Sequence, residues 1–254
     1  MILDKFSMAG RAGIVTGAAG GIGRAIARGL AEAGASVIVA DINEEGLKET
    51  AKYVSEVGKC EAIVVDLTKD ESIDNLFAKS LEAFGDLHFL FNNAGVIHRD
   101  PCEDFSKEMW DLGIRVNLTA PFLLSQKIAK HWIEKSIKGS IINTSSLIAI
   151  QGGRFVPAYA ATKGGLTQLT KTMCNDWGKY GINVNAIGPG WIKTEMTAAL
   201  RADPERMPAI TGRIPMGRWA DPEELVGAAV FLASDASSYI NGHVIFVDGG
   251  WLAF

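Results

Sequence analysis

A-G-I-V-T-G-A-A-G-G-I-G-R-A-I-A-R-G-L-A-E-A-G, residues 12–34, is the stretch that decides the fold. It opens as a β-rich run from Ala12 to Thr16 and breaks into a glycine-rich turn. Ile22, Ile26, Leu30 and Ala33 then recur at helical spacing, while Arg24, Arg28 and Glu32 fall elsewhere on the helix and Gly34 stops it. A strand that turns through glycines into an amphipathic helix begins a βαβ unit. Such a turn lets a ligand approach the backbone closely, and the helix N-terminus offers unpaired N–H groups and a positive dipole end, which together suit a pyrophosphate. The spacing, Gly17 to Gly21 to Gly23, is G-x-x-x-G-x-G rather than G-x-G-x-x-G. Gly17, Gly21, Ile22 and Gly23 are therefore candidate cofactor contacts. A glycine turn built for packing alone has the same appearance, so context has to decide.

Outward from this unit the rhythm repeats. S-V-I-V-A-D (36–41), E-A-I-V-V-D (61–66), L-H-F-L-F-N-N (87–93), G-S-I-I-N-T (139–144), I-N-V-N-A-I (182–187) and H-V-I-F-V-D (243–248) follow. All but the last precede a helix-like or irregular stretch. This alternation predicts an α/β fold, a doubly wound Rossmann-type parallel sheet with helices on both faces. No repeat, low-complexity tract or Ser/Gly linker interrupts it, so residues 1–254 are expected to form a single domain. The irregular region is 193–220, where Pro204, Pro208 and Pro215 stand among Arg201, Asp203, Glu205, Arg206, Arg213 and Arg218. A long segment of this kind in a compact domain is expected to be a substrate lid or else a plain surface excursion.

Bulk composition excludes several classes. With 254 residues, 48% hydrophobic, the chain is long enough for a large core. Its 25 Lys+Arg against 29 Asp+Glu leave a net charge of −4 and no broad positive field for nucleic acid. Cys60, Cys102 and Cys174 show no ligand spacing and form no disulfide framework, so no metal site is expected. No run of about 18 apolar residues occurs, which argues against a membrane partner. A cytoplasmic protein is the expectation.

Polar residues at the C-terminal ends of the strands mark where a ligand would lie. Asp41 ends the second strand about 20 residues beyond the glycine turn, where a carboxylate can bond adenosine ribose hydroxyls. It would also repel a 2′-phosphate, and the neighbouring positions Gly20 and Ile42 carry no cation, so NAD is favoured over NADP. Asp66 can accept the adenine amino group and Asn93 can orient the crevice wall; either residue also fits a turn or cap. The segment S-L-I-A-I-Q-G-G-R-F-V-P-A-Y-A-A-T-K (146–163) sets Tyr159 and Lys163 on one face of a helix starting at Pro157. An ammonium beside a phenol lowers its pKa toward neutrality, which makes the tyrosine a usable acid or base. A surface pair with the ring over the lysine stem has the same spacing.

Thr16–Gly23, N-N-A-G at 92–95, Asn117 in R-V-N-L, Ser146, Y-A-A-T-K at 159–163 and P-G-W-I-K-T at 189–194 together resemble the short-chain dehydrogenase/reductase family, over the whole chain. The resemblance implies seven parallel strands in the order 3-2-1-4-5-6-7 and a homotetramer or homodimer. It implies that Tyr159 exchanges a proton with the substrate oxygen and that Ser146, thirteen residues upstream, hydrogen-bonds that oxygen, with Ser145 a loop or strand-end residue. Lys163 would lower the Tyr159 pKa and bind the nicotinamide ribose, and Asn117 would support a water leading protons outward. Asp66, Leu67, Asn93, Ala94, Gly95, Pro189 and Gly190 would line the NAD site, with Ile192 and Thr194 at the carboxamide end. Hydride transfer needs such a base and such a clamp for alkoxide charge.

Within the family, M-I-L-x-x-F-S at the start, N-N-A-G-V-I-H-R (92–99), I-Q-G-G-R-F-V-P-A-Y (150–159), G-R-W (217–219) and the ending V-D-G-G-W-L-A are similar to a sugar-acid subgroup, the 2-dehydro-3-deoxy-D-gluconate 5-dehydrogenases (also described as 2-deoxy-D-gluconate 3-dehydrogenases). Gluconate 5-dehydrogenases are near relatives. A small sugar acid needs a cation for its carboxylate, preferably a guanidinium. Arg154 and Arg99 are the candidates, with His98 and Trp191 for hydroxyls or the carbon chain; surface ion pairs are the competing role for such arginines. Two other uses of the fold compete: reduction of acyl-carrier thioesters or steroid-like ketones, and a non-catalytic NAD-responsive binding protein.

Overall fold

The computed structural model describes residues 1–253. Its strands are β1 (Ala12–Thr16), β2 (Ser36–Asp41), β3 (Cys60–Val64), β4 (Phe89–Asn92), β5 (Gly139–Thr144), β6 (Ile182–Pro189) and β7 (Val244–Val247). The helices are α1 (Gly21–Glu32), α2 (Glu44–Ser55), α3 (Asp70–Phe84), α4 (Lys107–Ile114), α5 (Ala120–Lys135), α6 (Ile148–Gln151), α7 (Pro157–Trp177), α8 (Ala198–Ala202), α9 (Arg206–Arg213) and α10 (Val226–Ala233). All strand pairs are parallel, in the order β3-β2-β1-β4-β5-β6-β7.

Period-two alternation sends neighbouring side chains to opposite faces. Val15, Val37, Val39, Phe89 and Phe91 pack with Ile26, Leu30, Leu47 and Leu232, under α1, α2 and α10. Ile14, Ile38, Leu90, Ile141 and Val184 pack with Ile73, Leu76, Leu124 and Trp132, under α3 and α5, and with Met173 of α7. Central strands are consequently buried along their whole length, as in β1, β4 and β5. The edge strand β3 buries only Ile63.

The chain reverses direction across the sheet between β2 and β4, both of which pair with β1. A crevice opens at the carboxyl ends of the strands there. Several boundaries differ from the sequence reading. β3 ends at Val64, so Asp66 lies two residues beyond it; β4 starts two residues later than Leu87; β6 continues through Pro189, where pairing with β7 holds it extended. Segment 193–220 is not simply irregular: it folds into a 3₁₀ turn and the short helices α8 and α9. Pro208 sits in the first turn of α9, where its missing N–H costs nothing. The element foreseen from Asp221 begins as a 3₁₀ turn over Pro222–Leu225, capped by Asp221 N–H donating to Glu224 at 2.9 Å, before α10.

Candidate active site

The glycine turn is shaped for a ligand. Gly17 (φ +66°) and Gly21 (φ +51°) hold left-handed conformations that side chains disfavour, and a Cβ on Gly17 would stand 2.6 Å from Ala94 Cα. Gly23 acts by packing and not as a cleft wall: a Cβ there would collide with the Gly17 carbonyl and come within 2.6 Å of Asn93 Nδ2. Helix α1 has no side-chain N-cap and no acid in its first turn, so its leading N–H groups face the crevice without a side-chain partner. These features fit the pyrophosphate of a dinucleotide.

Around the turn, carboxylates and amides fix the backbone. Asp41 Oδ2 accepts the Ala19 N–H and Oδ1 the Asn43 N–H, each at 3.0 Å, so the residue both orders the turn and faces the cleft. Asp66 Oδ1 accepts the Thr68 hydroxyl at 2.6 Å and its N–H at 2.9 Å; these bonds, with Lys69 nearby, hold its pKa below the usual carboxylate value. Asn93 Nδ2 donates to the Thr16 and Gly17 carbonyls at 3.1 and 3.0 Å, tying β4 to the glycine turn.

Tyr159 and Lys163 lie on α7, with the Lys163 Nζ 5.5 Å from the Tyr159 ring centroid. Ser146, 7% exposed, faces the same cleft and its Oγ accepts the Ile148 N–H at 3.1 Å. The Ser145 hydroxyl is instead spent on Thr167 Oγ1 at 2.7 Å. Asn117, fully buried, sits in one π-helical turn (Arg115–Thr119). Its amide pins the Val96 backbone, accepting from N–H at 2.8 Å and donating to C=O at 2.9 Å, so it shapes the wall from behind.

Charges here depart from the sequence expectation. Burial pushes the Tyr159 phenol above its ordinary value; the Ser146 hydroxyl and the Arg99 guanidinium pull the other way. Lys163, 2% exposed, is itself lowered to about 8 by burial and donates to the Thr144 carbonyl at 2.6 Å. Desolvation thus outweighs the pulls of Ser146 and Arg99 on the phenol, and Lys163 adds none.

A cleft of about 720 Å³ joins these parts. Gly17, Gly21, Ile22, Asp41, Asp66 and Leu67 lie along it, followed by Asn93, Ala94 and Gly95. Ser146, Tyr159, Lys163, Pro189, Gly190, Ile192 and Thr194 complete the wall. The family model described as enoyl-(acyl carrier protein) reductase matches residues 17–252. The chain is 44% identical to the 2-dehydro-3-deoxy-D-gluconate 5-dehydrogenase of Escherichia coli, covering all of both chains. It is 41% identical to the gluconate 5-dehydrogenase of Gluconobacter oxydans, covering 97% of this chain and 96% of that one. The crystal structure of a gluconate 5-dehydrogenase from Burkholderia cenocepacia, in complex with NADP and tartrate, superposes with a TM-score of 0.95 at 38% identity and covers 100% of both chains. The chain belongs to the short-chain dehydrogenase/reductase family.

At the far end of the cleft this short-chain dehydrogenase/reductase carries four arginines: Arg99, Arg154, Arg206 and Arg213. Arg99 is half-buried; Arg154 is exposed and lies 5.1 Å from the Phe155 ring centroid. Trp191 lines the cleft against Trp219 and Trp251, and its indole N–H is buried with no hydrogen-bond partner among the described residues. His98 lies outside the cleft lining: it is exposed, stacks edge-on against Phe105 and stands 4.0 Å from Asp100. The turn after β4 aims alternate side chains apart, so Arg99 faces inward and His98 outward. Sequence reasoning missed Arg206 and Arg213, although with Ile210 they follow i, i+4, i+7 spacing and so share one face of α9. No helix among the described residues is long and apolar enough to cross a membrane.

Proposed function

We propose that the protein interconverts a secondary hydroxyl and a ketone on a small sugar acid of the 2-dehydro-3-deoxy-D-gluconate or 2-deoxy-D-gluconate type, with NAD as redox partner. The observation that carries this reading is the convergence of Ser146, Tyr159 and Lys163 with the half-buried Arg99 in one cleft. The names of the E. coli and Gluconobacter relatives support the same substrate class. The nicotinamide supplies the hydride acceptor or donor when bound. Ser146 hydrogen-bonds the reacting substrate oxygen, and Tyr159 takes or returns its proton. Lys163 holds the nicotinamide ribose and spreads charge near the phenol, while Asn117 supports a water at the proton exit.

NAD is preferred because Asp41 stands at the ribose position and Gly20 and Ile42 offer no cation to a 2′-phosphate. The Burkholderia relative holds NADP, so this preference rests on Asp41 of the present chain. Segment 193–220 serves as the substrate lid, and the assembly is a homotetramer or homodimer. Gluconate 5-dehydrogenase activity is the nearest alternative. Reduction of steroid-like or acyl-carrier ketones suits the cleft less, because an apolar substrate gains nothing from four arginines. A panel of sugar acids and hydrophobic ketones with NAD(H) and NADP(H) tests this: turnover of sugar acids with NAD(H) is expected, and turnover of the ketones alone would overturn it.

A further inference from the structure

Two of the four arginines at the substrate end already have partners. Arg213 lies with its guanidinium carbon 4.1 Å from the Trp251 ring centroid and reaches Gln151 Oε1 at 3.5 Å. Arg154 packs toward Phe155. Among the described residues none of the four forms an ion pair within 4.0 Å, and Arg99 and Arg206 lie over no aromatic ring; Arg99 reaches only the Met196 carbonyl at 3.4 Å, and the Arg206 backbone N–H, not its guanidinium, donates to Asp203 Oδ1 at 2.9 Å. Arg99 comes from the turn after β4, Arg206 from the first residue of α9, yet both face the same cleft. The Arg206 charge, after burial, lowers the Arg99 pKa, and Arg99 acts on Tyr159. The Arg206 charge also acts on the Asp203 carboxylate, which does not line the cleft; within the cleft the two like charges form a receptor for an anion, since an added carboxylate relieves their repulsion and accepts hydrogen bonds from both. The carboxylate nearest in sequence on the cleft wall, Glu195, is exposed and borders the smaller hollow behind the glycine turn as well.

We propose that Arg206 is a specificity-determining residue, the second guanidinium of a carboxylate clamp whose first is Arg99. The clamp grips the substrate acid group and leaves the hydroxyl chain to run toward Ser146 and Tyr159. This inference rests on the sugar-acid reading and adds to it the residue that selects an acid over a neutral polyol. Arg206 is exposed, and the bond that caps the start of α9 uses its backbone, so its replacement leaves the fold intact.

The test compares kcat/KM for the best sugar acid of the panel with that for D-glucitol, a neutral polyol, in wild type, R206Q, R206K and R99Q, alongside NADH binding by fluorescence. R206Q is expected to lower the acid-over-polyol ratio about 10- to 100-fold, chiefly through KM, as for loss of one charge-assisted hydrogen bond. NADH affinity should not move, and R206K should recover part of the ratio. An unchanged ratio in R206Q with a collapsed one in R99Q overturns the clamp and leaves the sugar-acid reading standing. A wild-type enzyme that turns over no sugar acid overturns both.

Discussion

Replacing Asp41 by Ala removes the group on which the proposed cofactor preference rests. A ribose hydroxyl donating to this carboxylate makes a charge-assisted hydrogen bond of about 1.5–3 kcal/mol, so its loss weakens NAD binding about 10- to 150-fold. For NADP the sign reverses. A dianionic 2′-phosphate about 5 Å from a carboxylate is repelled by about 2 kcal/mol even in the dielectric of bulk water, and more in a half-buried site. Removing Asp41 therefore strengthens NADP binding about tenfold or more, and the ratio of the two dissociation constants shifts about 100- to 1,000-fold. The same carboxylate accepts the Ala19 and Asn43 N–H groups, and Asn43 in turn caps α2 through the Gly46 N–H at 3.1 Å. A stability loss of about 1–2 kcal/mol accompanies the switch. Fluorescence titrations with NADH and NADPH, beside a melting curve, measure both effects. A ratio that moves less than about threefold while the protein stays folded would refute the argument.

Other perturbations follow from the same geometry. Gly23→Ala drives a methyl against the Gly17 carbonyl and Asn93, and is expected to abolish cofactor binding and lower stability by about 1–3 kcal/mol, read by NADH titration and thermal melting. Lys163 has its pKa lowered from 10.5 to about 8 by folding, so the folded state binds fewer protons in that window. The buried ammonium is costly below pH 8, and the stability of wild type relative to Lys163→Met should rise by about 3 kcal/mol at most between pH 8 and 10.5 in denaturant unfolding. A flat or falling difference would contradict the assignment. Because burial raises the Tyr159 pKa above the ordinary tyrosine value, alcohol oxidation should accelerate with rising pH through the alkaline range, while ketone reduction should not. Steady-state kcat/KM profiles in both directions check this.

The fold was legible because its signals are local. Val15, Val37 and Val39 alternate with Ile14, Ile38 and Ala40, and the strand-to-helix turn at Gly17–Gly23 names its own conformation. Strand ends were harder, since β3 is an edge whose outward residues carry little pattern and β6 is extended by pairing with β7 past Gly188 and Pro189. At the site, spacing placed Tyr159 and Lys163 together but said nothing of how deeply they lie; burial, a tertiary property, reverses the expected direction for the phenol. His98 and Arg99 are adjacent in sequence, and only the path of the turn after β4 separates the outward residue from the inward one. Arg206 and Arg213 were hidden by three prolines that made a helical segment read as irregular.

In the proposed reaction Tyr159 is the group that moves the proton. The direct measurement is turnover by Tyr159→Phe, with the best sugar acid and NAD(H), set beside NADH binding by fluorescence in the same preparation. The ring and its packing on α7 are kept while the hydroxyl in the cleft is lost. Loss of an acid/base group costs about 10²- to 10⁴-fold in rate. The expected result is a kcat lowered by at least that much with NADH binding retained; a Tyr159→Phe enzyme that keeps wild-type turnover would show that another group moves the proton.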